Sequence, residues 1–136
     1  MIKKLQNDSI ETAGQIRSVF QLSYAEEAKL LRAVDFPPLK RPLTSYVESG
    51  NDFYGYFSDA ELAGVIEVET LDQGIDINSL VVKPDFFRRG IGRKLLEFTF
   101  KQYDSELFIV ETGVDNVPAT ALYKKLGFKE IKLELT

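Results

Sequence analysis

With 136 residues, 44% of them hydrophobic and 28% charged, the chain suits one domain (1–136) with a real core and leaves no room for a second. Histidine and cysteine are both absent, which excludes a Ser-His-Asp triad, a cysteine nucleophile, disulfides and any ordinary zinc site. No metal is expected, and acid–base chemistry falls to Asp, Glu, Tyr, Lys or water. No run approaches a membrane span, and the start, MIKKLQNDSIET, lacks the apolar stretch of a signal peptide; the expected location is the cytoplasm, with no membrane partner. Net charge is −4, yet five of the 17 basic residues fall between Lys83 and Lys94. A local basic cluster in an acidic chain suits a small anionic ligand better than a nucleic acid.

In chain order, Met1–Gln6 alternates weakly through Ile2 and Leu5 and predicts an edge strand. Asp8 or Ser9 can cap a helix whose apolar residues Ile10, Ala13, Ile16, Val19 and Phe20 recur at helical spacing, with helical character continuing through SYAEEAKLLRAV. DFPPLKRPL ends it, because three prolines in six residues cannot be helix interior. A short helix over Thr44–Glu48 follows. The stretches DFYGYF, ELAGVIEVETL and IDINSLVV are β-rich and separated by the turn signals SDAE and LDQG, which predicts a meander of three antiparallel strands. Then come a helix from Gly90 to about Tyr103, a strand over Leu107–Thr112, a helix over Val117–Leu126 stopped by Gly127, and a final alternating strand over Phe128–Leu135. The fold class is α+β, a mixed, mostly antiparallel sheet with flanking helices. The helical crossover makes strands 75–82 and 107–112 a parallel pair.

Gly90 and Gly92 stand where strand becomes helix. Glycine permits positive φ and lets a ligand approach the backbone, while the free N–H groups of a helix start attract anions. Arg88, Arg89, Arg93 and Lys94 add positive charge around them. A GxG pair alone is weak evidence and more often marks a plain connector. GIGRKL lacks the third glycine of a dinucleotide fingerprint and the GK[ST] ending of a P-loop.

VVKPDFFRRGIGRKLL followed by VETGVDNVPATALYKKLGF, in that order and at that distance, resembles the GNAT superfamily of acyl-CoA-dependent N-acyltransferases, over roughly Phe53 to Phe128. The resemblance implies a GNAT-like sheet whose parallel pair surrounds the cofactor site, with acetyl-CoA as co-substrate. It implies that the backbone from Arg88 through Gly90, Ile91, Gly92 and Arg93 cradles the pyrophosphate. Leu80, Val81 and Val82 then offer backbone groups to the pantetheine arm in the manner of an added strand. Arg89, Arg93 or Lys94 meets the adenosine 3′-phosphate. Phe87 departs from the Gln or Arg common at its position, which leaves only a backbone contact there. Asn116 matches an asparagine that contacts the cofactor arm, and it is also a good cap for the following helix.

Direct transfer to an amine needs a proton acceptor for the nucleophile and a donor for the thiolate. Tyr123 matches the family's thiolate-protonating tyrosine. Glu111, twelve residues earlier, matches the base of the ribosomal-protein N-terminal acetyltransferases. Glu67 and Glu69 are rival bases on one strand face, ordinarily a solvent-facing pattern, and Asn78 and Ser79 could hold a relay water. Tyr24, Phe36, Tyr46, Glu48, Phe53 and Tyr54 mark the expected acceptor side, aromatics with carboxylates suiting a cationic amine, although most of the aromatics are equally expected in the core. A non-catalytic acyl-CoA sensor is the alternative, and an interaction domain using the basic cluster stands further back. One strand after LGF, where many members have two, predicts an open edge covered by the N-terminus or by a second copy in a homodimer.

Overall fold

The computed structural model describes residues 1–32, 37–105, 107–112 and 131–135. Its strands β1 (Ile2–Leu5), β2 (Asp52–Ser58), β3 (Glu61–Thr70), β4 (Ile75–Val82), β5 (Phe108–Thr112) and β6 (Ile131–Leu135) form one sheet in sequence order. Helices α1 (Ile10–Leu31), α2 (Leu43–Val47) and α3 (Ile91–Gln102) flank it. Strands β1 to β4 pair antiparallel, whereas β4–β5 and β5–β6 are parallel. The expected meander and the expected parallel pair are therefore both present. The helix expected over Val117–Leu126 lies outside the described residues. Among the described helices none is long and apolar enough to cross a membrane.

The sheet carries a core on each face. Toward α1 and α2 lie Ala13, Ile16, Val19 and Phe20 with Tyr46, Phe53, Val65 and Val81. Toward α3 lie Ile91, Leu95 and Leu96 with Tyr54, Ile66, Val68, Ile77 and Phe108. Each such side chain contributes about 1.5–3 kcal/mol on burial, so together they decide which way each helix faces. Ser9, not Asp8, caps α1, its Oγ accepting from the Thr12 amide at 3.4 Å. Ile10, read as part of the apolar stripe, is exposed because it sits on the first turn, beyond the sheet's cover.

The N-terminal strand pairs with β2, and the Met1 amine donates to the Phe57 carbonyl at 3.2 Å. β1 and β6 thus occupy opposite ends of the strand order. The N-terminus cannot cover the β6 edge, which corrects that expectation; a second copy remains the other half of it.

α3 packs against β3 at Gly64, where a Cβ would stand 2.9 Å from Ile91 Cγ2 and 3.2 Å from the Val81 carbonyl. This close approach fixes the first turn of α3 over the end of β4. Gly64→Ala is expected to lower unfolding free energy by about 1–3 kcal/mol in urea titration, because the added methyl has no space to enter.

Candidate functional site

The register between β3 and β4 slips once. Glu67 pairs with Ser79, but the next pair is Val68 with Ile77, so Asn78 is an extra residue in β4. Such a bulge bends its strand and increases its twist. The pairing of β4 with β5 runs only from Ile75–Phe108 to Ile77–Val110 and stops where the bulge begins. Beyond it, among the described residues, Asn78 to Val82 have β3 on one side and no strand on the other. The two parallel strands fork. Leu80, Val81 and Val82 stand on the open arm of the fork, and Glu111 is the first residue of β5 past its last β4 pair, aligned instead with Glu134.

The glycine turn reaches this opening. After a 3₁₀ turn over Pro84–Phe86 and an extended Phe87, Arg88 has φ 64° and Gly90, the N-cap of α3, has φ 76°. Gly90 is therefore needed for its backbone. Arg88 holds a left-handed conformation that costs a non-glycine residue on the order of 1–2 kcal/mol. Right- and left-handed residues in succession turn backbone amides toward one point, a concavity suited to anions. The first helical bond is the Lys94 amide to the Gly90 carbonyl at 3.0 Å, which leaves the Ile91, Gly92 and Arg93 amides at the unbonded start of α3. Among the described residues a Cβ on Gly92 would meet only Leu80 Cδ2, at 3.7 Å, an ordinary contact. Gly92 consequently adjoins the open arm of β4.

The basic side chains stand around this turn and are exposed. Arg89 lies over the Phe86 ring, Arg93 Nε donates to Glu97 at 2.9 Å, and Lys94 Nζ reaches the Tyr56 hydroxyl at 3.4 Å. Phe87 is exposed beside them. Asn116 and Tyr123 lie outside the described residues, as does the side chain of Glu111.

On the α1 face the fork meets a second cluster, which the sequence did not reveal. Glu67, expected on a solvent-facing strand surface, is only 3% exposed. Its Oε1 accepts from Arg41 Nη1 at 2.8 Å and Ser79 Oγ at 3.1 Å; its Oε2 accepts from Arg41 Nη2 at 3.1 Å and Asn51 Nδ2 at 2.9 Å. The guanidinium lies 4.1 Å from the Tyr46 ring centre and within 6.0 Å of those of Phe20 and Phe53. Burial would lower the Arg41 pKa, but the hydrogen bonds and charge of Glu67 outweigh it and raise it. Burial also pushes the Tyr46 hydroxyl up to about 12. The Tyr24 hydroxyl, raised by burial as well, contacts Ser79 Oγ at 3.5 Å.

Of the residues expected to face the acceptor, Tyr46 and Phe53 are fully buried core, and Tyr54 is buried on the α3 face. Glu48 is exposed, and Phe36 lies outside the described residues. Tyr24 is the one placed at the fork. Glu69 accepts from Asn78 Nδ2 at 3.2 Å. Arg41 and Asn51 went unnoticed because an arginine beside prolines and an asparagine in a turn read as loop chemistry. The local hint was Glu67 standing within the apolar run LAGVIEV of β3.

The model of the acetyltransferase (GNAT) family matches residues 17–128. The chain belongs to the GNAT acetyltransferase family. The match takes in most of α1 and all of α2, beyond the stretch where the motifs alone show the resemblance. A Bacillus subtilis relative, UPF0157 protein YqkA, is 35% identical over 131 residues, 96% of this chain; the chain spans only 38% of that protein. Streptothricin acetyltransferase of Escherichia coli is 32% identical over 119 residues, covering 83% of this chain and 68% of the relative. The solved structure of the PaiA N-acetyltransferase of Thermoplasma acidophilum, in complex with coenzyme A, superposes with a TM-score of 0.70 at 20% identity, covering 93% of this chain and 87% of that one. Among the described residues no group of acidic side chains could hold a metal ion.

One carboxyl near the fork has no compensating partner among the described residues. Glu27, one turn beyond Tyr24 on α1, is half-buried, and burial raises its pKa above the ordinary 4.5. A raised carboxyl prefers its proton in the folded state. Its ionisation therefore weakens the fold as pH climbs through the folded pKa, and the penalty vanishes below the unfolded value. Glu27→Gln should melt higher than the parent at about pH 7 and lose that advantage by about pH 4.

Proposed function

We propose that this chain is an acetyl-CoA-dependent N-acetyltransferase acting on a primary amine, either a small molecule or a peptide N-terminus, by direct transfer in a ternary complex. The observation that carries the reading is the nearness of Gly92 to β4: a Cβ placed on Gly92 would stand 3.7 Å from Leu80 Cδ2. It brings the anion-binding turn and the unpaired arm of β4 together, the two surfaces that a pyrophosphate and a pantetheine arm require. The residues present fit the cofactor: amides of Arg88 through Arg93 for the phosphates, and backbone of Leu80 to Val82 for the arm. The reading includes a single unit over 1–136, a cytoplasmic location, and a second copy as the cover for the β6 edge.

Bound acetyl-CoA supplies a thioester whose carbonyl carbon accepts the amine nitrogen while the C–S bond breaks. Glu111 takes the proton that the amine sheds, and Tyr123 gives its phenolic proton to the departing sulfur; solvent returns one to the other. Both roles rest on the family resemblance. Glu67, the alternative base, has both carboxylate oxygens occupied by four donors and would have to give one up to receive a proton.

Release of free coenzyme A in the presence of an amine panel tests the reading. Tyr123→Phe is expected to lower kcat by about 10²–10⁴ with acetyl-CoA still bound. Gly92→Glu should fold, because a Cβ there meets only Leu80 among the described residues, yet it should lose saturation with acetyl-CoA. Acetyl-CoA binding by the parent without turnover on any amine would favour the sensor. Absence of binding would remove both.

A further inference from the structure

We propose that Glu67 is a positioning residue for the acceptor side, fastening three separate segments to the sheet at the point where β4 forks. This rests on the acetyltransferase reading and deepens it. Arg41 belongs to the connection between α1 and α2, Asn51 leads into β2, and Ser79 is the residue after the bulge. Each donates to the same buried carboxylate. The connection is also held by Gln21 Nε2 to the Leu39 carbonyl at 2.9 Å, and by Arg41 Nε to Ser45 Oγ at 2.9 Å. These neutral contacts tie it to α1 and α2, whereas the Glu67 ion pair and the Arg41 contact with Phe53 tie it to the sheet.

The geometry suits anchoring more than proton transfer. Arg41 presents both terminal nitrogens to both oxygens of Glu67, the fork-on-fork match that fixes orientation as well as distance. Its guanidinium is stacked on Tyr46 and flanked by Phe20 and Phe53, so the pair is clamped by the core cluster of α1, α2 and β2. A pair buried this far contributes through fixed geometry, since removing one partner strands the other charge. From Glu67 the hydrogen bonds run through Ser79 to Tyr24, which places the effect at the mouth of the fork.

The test compares Glu67→Gln, Arg41→Met and the double variant, reading thermal melting, acetyl-CoA Kd by calorimetry, and kcat and KM for the amine across pH. Each single variant is expected to lower kcat/KM for the amine by about 10²-fold, mostly through KM, as small misplacements do. Acetyl-CoA Kd and the shape of the pH profile should stay as in the parent. The double variant should lose less than the two single losses combined, because the partners act as one unit. Should Glu67→Gln fail to fold, Arg41→Lys keeps the charge but breaks the bidentate match, and should raise KM in the same direction. A folded Glu67→Gln with parental KM overturns the proposal. Loss of a pH-profile limb with KM unchanged would make Glu67 the base instead, also overturning it. A parent that binds no acetyl-CoA would first remove the acetyltransferase reading, and this inference with it.

Discussion

One extra residue in one strand organises this molecule. Asn78 breaks the register between β3 and β4, and β4 leaves β5 at the same place. Without the slip, a parallel pair joined by a crossover helix would continue bonding and bury its own edge. With it, the far end of β4 keeps a row of backbone groups available beside the start of α3. Unpaired strand edges are ordinarily a hazard. Here, among the described residues, the edge ends against a left-handed turn at the unbonded start of α3, and the proposed site draws on both surfaces.

The packing on either side holds that opening in place. On one face, α3 is pressed onto β3 through Gly64, which sets the height of its first turn. On the other, the Glu67–Arg41 pair lies within the aromatic cluster of α1, α2 and β2, opposite Ser79. Replacing a buried ion pair with apolar groups is often neutral or stabilising, so stability gives little reason for one here. Fixed orientation at a functional edge gives a better one, and it explains why a polar cluster sits where the core would otherwise be continuous.

Much of this was legible in the sequence because it is local. β-rich stretches separated by SDAE and LDQG gave the meander, and a strand–helix–strand order gave the parallel pair. The glycine and arginine run marked the turn, although the left-handed conformation at Arg88 could not be read from an arginine. What escaped depends on distant partners. Glu67 and Glu69 look alike two residues apart, yet one is buried by an arginine 26 residues upstream. Tyr46 and Phe53 look like acceptor-facing aromatics until α1 covers them. The bulge itself leaves no mark in IDINSLVV, since it is a property of two strands together.

The central claim is that the fork and the turn hold one ligand together, and amide hydrogen exchange with and without saturating acetyl-CoA tests it most directly. The account predicts slowed exchange in two separate peptides, one covering residues 80–82 and one covering 88–94, with β1 and β2 unchanged. Protection confined to 88–94 would leave a plain anion site at a helix start and contradict the role given to β4. Protection of neither, in a protein whose melting temperature rises with the ligand, would place the site elsewhere.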